Sequence, residues 1–295
     1  MWMNSVLKLE NVSLDIKRDS ILNDISIEME TGKIYGLIGR NGAGKTSILS
    51  LIASFRKPTK GSVTIDGMDT YENENLMSKV TFLYEVDYSD EYDTAEKMFK
   101  AAKRYKEAFD MDYAFSLMEA FGAPTDMALH KMSKGQQAAV NAAIGLASNS
   151  AVTIFDEVTN GMDAPSREYF YRQVLAAKEK RPRIFILSTH IVSEMDYLFD
   201  EVIIVHHGIV KLQEPLDVLL ERGFRVSGQE EKVAEFTAGK ELLSTERLGP
   251  IRSDMVLGGL SEEELGEIDR LYLDISTVKL QDLFIRLTED KEGVE

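Results

Sequence analysis

The 295-residue chain contains no cysteine. That absence excludes a disulfide scaffold, thiolate zinc sites and a cysteine nucleophile together, and it fits a reducing compartment. No apolar run approaches the ~18 residues that a membrane helix needs. The densest apolar patches, Ile184 to Leu187 and Val202 to Val205, have strand length. The N-terminal MWMNSVLKLE has no basic stretch followed by an apolar one, so no signal peptide is expected. Positive charge is scarce: 34 Lys and Arg stand against 50 Asp and Glu, a net −16. Phosphate backbones demand a basic face, so the composition argues against nucleic acid as the main partner. The deficit is uneven. Gly223 to Glu295 holds 9 Lys and Arg and 17 Asp and Glu, half of the net charge in a quarter of the chain. Plain solvation of a tail domain is the simplest reading of such a run.

What is present is ordinary for a globular protein: 44% hydrophobic and 28% charged residues. At ~100–200 residues per domain the length suits two domains, or one large and one small. Residues 6–38 alternate as strands and end in the buried-strand run IYGLIG; apolar helical spacing follows from Ile48 to Ile52. PTKGSVTIDG reads as turn, strand and turn. A helical pattern spans Thr94 to about Phe121, and a second helix is expected from Ser133, a plausible N-cap, to Leu146. AVTIFDE, RIFILST and EVIIVHH are strand-like, separated by helices at 165–180 and 191–199. Strands alternating with helices predict a mainly parallel sheet wrapped by helices. His206-His207-Gly208, between two apolar runs, reads as a hairpin turn rather than a metal site. After Leu220 shorter elements suggest a small α/β appendage: FRVSG, a helix near 230–238, LYLDIS and a helix at 277–288.

The segment Gly39-Arg40-Asn41-Gly42-Ala43-Gly44-Lys45-Thr46, followed by Ser47, fits the phosphate-loop pattern G-x-x-x-x-G-K-[ST] between a buried strand and a helix. Its glycines let backbone amides wrap phosphates, and the helix N-terminus adds partial positive charge. Lys45 is expected to reach the β- and γ-phosphates and Thr46 to bind Mg²⁺. Asp156, ending the strand VTIFD, supplies the metal-side carboxylate. Glu157, pointing the other way along that strand, supplies a general base.

On these residues the chain resembles the ATP-binding subunits of ABC transporters across residues 1–220. Met132-Ser133-Lys134-Gly135-Gln136 stands at the position of the family's LSGGQ signature; Ser133, Gly135 and Gln136 match, whereas Met132 and Lys134 do not. Thr159-Asn160-Gly161-Met162-Asp163 looks like the D-loop, and His190 in Leu187-Ser188-Thr189-His190 like the switch histidine. The resemblance implies a P-loop ABC-type α/β ATPase fold: a mainly parallel core sheet, an antiparallel β subdomain and a helical subdomain at about 86–150. Residues 221–295 would form the small C-terminal α/β domain. It implies ATP and Mg²⁺ as ligands, with Glu157, His190 and Lys45 catalytic. Ser133, Gly135, Gln136 and Asp163 would contact the nucleotide held by a second ATP-binding subunit, because a phosphate loop and signature of one chain cannot close over the same nucleotide.

Several positions depart from the family. The adenine-stacking aromatic falls by spacing on Ile16, or on Leu14, and neither offers a π-face. The Q-loop glutamine becomes Glu85, which still reaches Mg²⁺ or water but does not donate as an amide does. Val158 replaces a proline. Lys134 either adds positive charge near the partner's γ-phosphate or points outward. Asp87, Asp90, Glu91, Asp93 and Glu96, interleaved with Tyr84, Tyr88 and Tyr92, form either a solvated acidic loop or the docking surface for a membrane partner's cytoplasmic helix bearing Lys or Arg.

The expected function is therefore ATP hydrolysis powering export through a separate membrane-spanning subunit, with this chain peripheral on the cytoplasmic face of the membrane. The tail, with Leu280-Gln281-Asp282-Leu283-Phe284, resembles those of bacterial ABC-2-type drug, antibiotic and peptide exporter ATPases. The alternative is a soluble ABC ATPase acting on ribosomes or nucleic acid. The acidity, the single cassette and the separation of Lys45 from Ser133 by only 88 positions, too few for long coiled coils, count against it. A regulatory subunit with little turnover is opposed by the presence of Glu157 and His190.

Overall fold

A computed structural model describes residues 5–189, 192 and 195–289. The chain divides into one unit of Met1–His190 and Tyr197–Gln213 and another of Ile191–Asp196 and Glu214–Glu295. The sequence boundary at 220 thus falls inside the second unit.

In the first unit β1 (Val6–Ile16), β2 (Asp19–Glu30), β4 (Lys60–Ile65) and β5 (Met68–Asp69) form an antiparallel sheet in the order β2-β1-β4-β5. The second sheet has the order β10-β9-β3-β8-β7-β6, built from β3 (Ile34–Ile38), β6 (Val80–Tyr84), β7 (Val152–Asp156), β8 (Ile184–Thr189), β9 (Glu201–His206) and β10 (Ile209–Pro215). β3 pairs in parallel with β8 and β9, and β7 with β6 and β8. Every residue of β3, β7, β8 and β9 is buried, which is why these strands read as continuous apolar runs rather than alternations. β9 and β10 meet through His207 (φ 48°) and Gly208 (φ 72°), both left-handed as a tight type I′ hairpin requires.

Helices α1 (Lys45–Ile52) and α2 (Glu74–Met77) follow β3 and β5. α3 (Ala95–Tyr105), α4 (Met111–Ala120) and α5 (Lys134–Ala147) lie between β6 and β7, and α6 (Ala164–Lys180) between β7 and β8. The single helix expected over 94–121 is two. The chain breaks at 106–110 because the Lys106 ammonium donates to the Met77, Ser78 and Val80 carbonyls and the Asp110 carboxylate caps α4 through the Tyr113 N–H. Of the helix expected at 191–199, residues 191, 193 and 194 lie outside the described residues, and Asp196–Leu198 make one 3₁₀ turn.

The second unit contains α7 (Leu216–Leu220), β11 (Gly223–Gln229), α8 (Glu230–Phe236), β12 (Glu241–Leu248), β13 (Ile251–Leu257), α9 (Glu262–Leu271), β14 (Asp274–Thr277) and α10 (Leu280–Leu287). Its sheet is antiparallel in the order β12-β13-β11-β14, around Phe224, Val226, Val233, Phe236, Val256 and Ile268. Solvation does not account for every acid here. Asp254 is fully buried, held by Arg252 at 2.7 Å and by the Thr237 hydroxyl at 2.9 Å, and these donors keep its carboxyl below its ordinary pKa against the opposing effect of burial.

Packing of α5 on β7 is tight: a Cβ on Gly145 would stand 2.3 Å from the Phe155 ring, itself packed by Phe170 and Phe185. Gly145→Ala should therefore cost about 1–3 kcal/mol of overpacking strain, read as a lower denaturant midpoint. An unchanged midpoint would show that this helix sits less closely on the sheet.

Candidate functional site

The phosphate loop leaves the buried end of β3. Gly42 (φ +79°) and Gly44 (φ +109°) take left-handed conformations, and a Cβ on Gly39 would meet the Val205 carbonyl oxygen at 2.6 Å. Asn41 and Gly42 are exposed, while the buried Ala43 closes the turn with its N–H on the Arg40 carbonyl at 3.0 Å. No side chain caps α1, whose first-turn amides remain available to an anion. Ser47 is half-buried in that first turn. Lys45 is 6% exposed; its ammonium donates to the Gly39 carbonyl at 2.7 Å and the Arg40 carbonyl at 3.4 Å, and lies 3.8 Å from Glu157 Oε1. Burial lowers its pKa, opposed by the Glu157 and Asp156 carboxylates.

Strand register assembles the rest. Ile38 pairs with Thr189 and Ser188 with Asp156, so the phosphate loop and Asp156 leave the same end of the sheet with only β8 between them. The Thr46 hydroxyl then donates to Asp156 Oδ2 at 2.7 Å. Hydroxyl and carboxylate oxygens side by side are hard donors that fit Mg²⁺, which takes one or two protein ligands and completes its shell with phosphates and water. Among the described residues no group of three or more His, Cys, Asp or Glu could hold a metal by itself.

Glu157 does not continue the strand alternation. β7 ends at Asp156, and Glu157 is left-handed at φ 52° with its N–H on the Ser188 carbonyl at 3.2 Å. A non-glycine residue held there is strained by about 1–3 kcal/mol, a feature common at functional sites. The turn brings Asn160 back, whose amide nitrogen donates to Glu157 Oε2 at 3.3 Å and to Glu85 Oε2 at 3.1 Å.

Ser133 caps α5 in a reciprocal box with Gln136: the Ser133 hydroxyl accepts the Gln136 N–H at 3.2 Å and the Gln136 side chain accepts the Ser133 N–H at 3.0 Å. Gly135 lies against residue 161, where an added Cβ would meet the Gly161 oxygen at 2.8 Å. Ser133, Gly135, Gln136, Gly161 and Asp163 line one cavity of about 230 Å³, to which the phosphate loop contributes no residue. Asp163 caps α6 by accepting the Ser166 N–H at 2.9 Å, and the Ser166 donors hold its carboxyl below the ordinary range.

Other expected site residues are placed differently. Leu14 is buried, which leaves the half-buried Ile16, at the end of β1, as the surface candidate for the base. Lys134 lines a narrow cleft with Glu85, Glu157 and Asn160 of its own chain, an arrangement the sequence did not suggest. Tyr88 does not join the acidic surface: it is 6% exposed and donates to Asn141 Oδ1 at 2.6 Å, whereas Tyr92 is 71% exposed. Lys97 and Lys100 already pair with Asp93 and Glu96. His190 lies outside the described residues. Sequence reasoning placed Asn160 in the D-loop but missed its bridge between Glu85 and Glu157, and it missed the Tyr88–Asn141 pair.

The family model described as ABC transporter matches residues 22–160, a span that encloses the phosphate loop, the Ser133 cap and the Asp156-Glu157 pair. The chain carries an ABC transporter ATP-binding domain. ATP hydrolysis is the activity of that domain. Over 211 residues it is 29% identical to the ABC transporter ATP-binding protein NatA of Bacillus subtilis (strain 168), covering 68% of this chain and 84% of that one. Over 305 residues it is 27% identical to the bacitracin transport ATP-binding protein BcrA of Bacillus licheniformis, covering 97% and 98%. A solved ATP-binding subunit of an ABC transporter superposes with TM-score 0.64 at 22% identity over 72% of this chain and 91% of that chain, a likeness of fold. Among the described residues, no helix is long and apolar enough to cross a membrane.

The Ser133 box has a consequence separate from nucleotide chemistry. Ser133→Ala should cost about 1 kcal/mol of cap energy and speed hydrogen exchange at the Gln136 amide. Unchanged exchange would mean that the hydroxyl does not cap α5 in solution.

Proposed function

We propose that this ABC ATPase is the energy-supplying subunit of an exporter, peripheral on the cytoplasmic face of the membrane through a separate membrane-spanning partner. ATP draws two ATP-binding subunits together head to tail, and hydrolysis releases them. The observation that carries the reading is the convergence of Lys45, Thr46, Asp156 and Glu157 at one end of the parallel sheet, together with a signature cavity built without the phosphate loop. A cap helix separated in this way from its own phosphate loop suits a nucleotide bound on a second copy or homologue.

Lys45 exchanges the Gly39 and Arg40 carbonyls for β- and γ-phosphate oxygens, while the loop amides and the α1 N-terminus hold the remaining charge. Thr46 and Asp156 would hold Mg²⁺, directly or through water, with Glu85 a further candidate; the ion would supply charge neutralisation for the phosphates. Glu157 takes the proton of the attacking water, and His190 contacts that water and the γ-phosphate. From the facing subunit, Ser133, Gly135 and Gln136 meet the γ-phosphate and Asp163 lines the interface.

Export rather than import rests on the resemblance of the tail to those of exporter ATPases; the alignment with the bacitracin transport protein covers 97% of the chain and so runs through that tail. The rival role on ribosomes or nucleic acid is opposed by the net charge of −16.

Purification beside the products of neighbouring genes should recover a multi-span membrane protein; a soluble ribosomal or nucleic-acid partner instead would overturn transport. Glu157→Gln should lower turnover by roughly 10²–10⁴-fold, the worth of a general base, while ATP binding persists and an ATP-dependent dimer accumulates on size exclusion. Intact turnover would remove Glu157 from the mechanism. At the base, Ile16 offers apolar packing alone, so Ile16→Tyr should tighten ATP binding by about 0.5–1.5 kcal/mol through ring stacking. Equal affinity in a nucleotide titration would place the base elsewhere.

A further inference from the structure

Two departures of this chain from the family pattern meet in one place. Glu85 stands where a glutamine is usual and Lys134 where a glycine is, and both line the narrow cleft that also holds Glu157, Asn160, Tyr88 and Asn141. Within it the Asn160 amide nitrogen lies 3.1 Å from Glu85 Oε2 and 3.3 Å from Glu157 Oε2. An amide NH₂ has two hydrogens, one for each carboxylate.

We propose that Asn160 is a positioning residue for hydrolysis, whose amide ties the Glu85 carboxylate to Glu157 and so aims Glu157 at the attacking water. The proposal rests on the reading of Glu157 as the base. Glu157 is held from two sides: Oε1 faces the Lys45 ammonium at 3.8 Å, and Oε2 accepts from Asn160. Its left-handed backbone takes it out of the strand that fixes Asp156, so these side-chain contacts orient the carboxylate. Two carboxylates brought to one nitrogen repel, and a shared donor offsets that repulsion. The exposed Lys134 lines the same cleft and adds a positive charge to its rim.

The tie also leads outward. The Tyr88 hydroxyl donates to Asn141 Oδ1 at 2.6 Å, and Asn141 Nδ2 donates to the Tyr84 carbonyl at 3.3 Å. Asn141 belongs to α5, the helix that Ser133 caps. The segment bearing Glu85 is thereby fastened to the signature helix at Tyr84 and Tyr88, and Asn160 joins that segment to the base.

The test uses the full chain carrying Asn160→Ala, Asn160→Asp, and Asn160→Asp combined with Glu85→Gln. Turnover, KM, affinity for a fluorescent ATP analogue without Mg²⁺, and melting temperature are measured for each. Asn160→Ala should lower kcat about tenfold, the scale of misaiming a base, with KM, analogue affinity and melting temperature close to those of the parent. Asn160→Asp should lose more, since a third carboxylate replaces the donor, and adding Glu85→Gln should recover part of that loss. The proposal is overturned if Asn160→Ala keeps full kcat. It is equally overturned if kcat falls only alongside melting temperature and affinity, which marks a structural role, or if Glu85→Gln recovers nothing. Glu157→Gln run in parallel separates the two readings: if it still turns over, the base assignment fails whatever the Asn160 variants do. If it is inactive while Asn160→Ala is normal, only the positioning role fails.

Discussion

The site depends on one constraint: the parallel register of β3, β8 and β7. With Ile38 opposite Thr189 and Asp156 opposite Ser188, three strands end level, and Lys45, Thr46, Asp156 and Glu157, the residues proposed to meet phosphate and metal within one chain, all follow from that line. A slip of one residue would turn the Asp156 side chain to the opposite face of the sheet. The register is protected by burial on both faces, since a slip would displace the apolar side chains of all three strands at once. The Thr46–Asp156 hydrogen bond across 110 positions of sequence is the visible product of that alignment.

Along this line the chemistry is electrostatic. Lys45 is buried enough that desolvation lowers its pKa, yet loop carbonyls and the Asp156 and Glu157 carboxylates surround it. Such an ammonium is poised to exchange neutral acceptors for phosphate oxygens, a stronger charge-assisted contact. The strained backbone at Glu157 places a second carboxylate beside the first without extending the strand, so the metal-side acid and the base-side acid face different neighbours. The protein's surplus of negative charge is thus tolerated at its site because the Thr46 hydroxyl donates to Asp156 and the Asn160 amide donates to both Glu157 and Glu85.

Legibility from sequence followed the physics of each element. The parallel core was readable because strands buried on both faces appear as unbroken apolar runs, and the phosphate loop because its glycines and its Lys-Thr pair have fixed spacing. α5 was readable from Ser133 onward because its cap is a local device. The break at 106–110 was not, since it depends on Lys106 reaching carbonyls near residue 78, far off in sequence. β13 was missed because Arg252 and Asp254 are the inward-facing pair, a buried ion pair that disguises an apolar face. The turn of Glu157 out of its strand and the bridging of Asn160 were invisible for a related reason: both require the chain to fold back on itself over a few residues. Tyr88 read as surface because its neighbours are acidic, and only the partner on α5 explains its burial.

The central claim is that Lys45, Thr46 and Asp156 form the phosphate and metal centre and that Lys45 trades its loop carbonyls for nucleotide. A crystal structure of the full chain with a non-hydrolysable ATP analogue and Mg²⁺ tests it most directly, by the Lys45 distances. The account predicts that the ammonium leaves the Gly39 and Arg40 carbonyls for β- and γ-phosphate oxygens, with the metal between Thr46 and Asp156. A nucleotide bound elsewhere, or a Lys45 still 2.7 Å from the Gly39 carbonyl with nucleotide present, would contradict it.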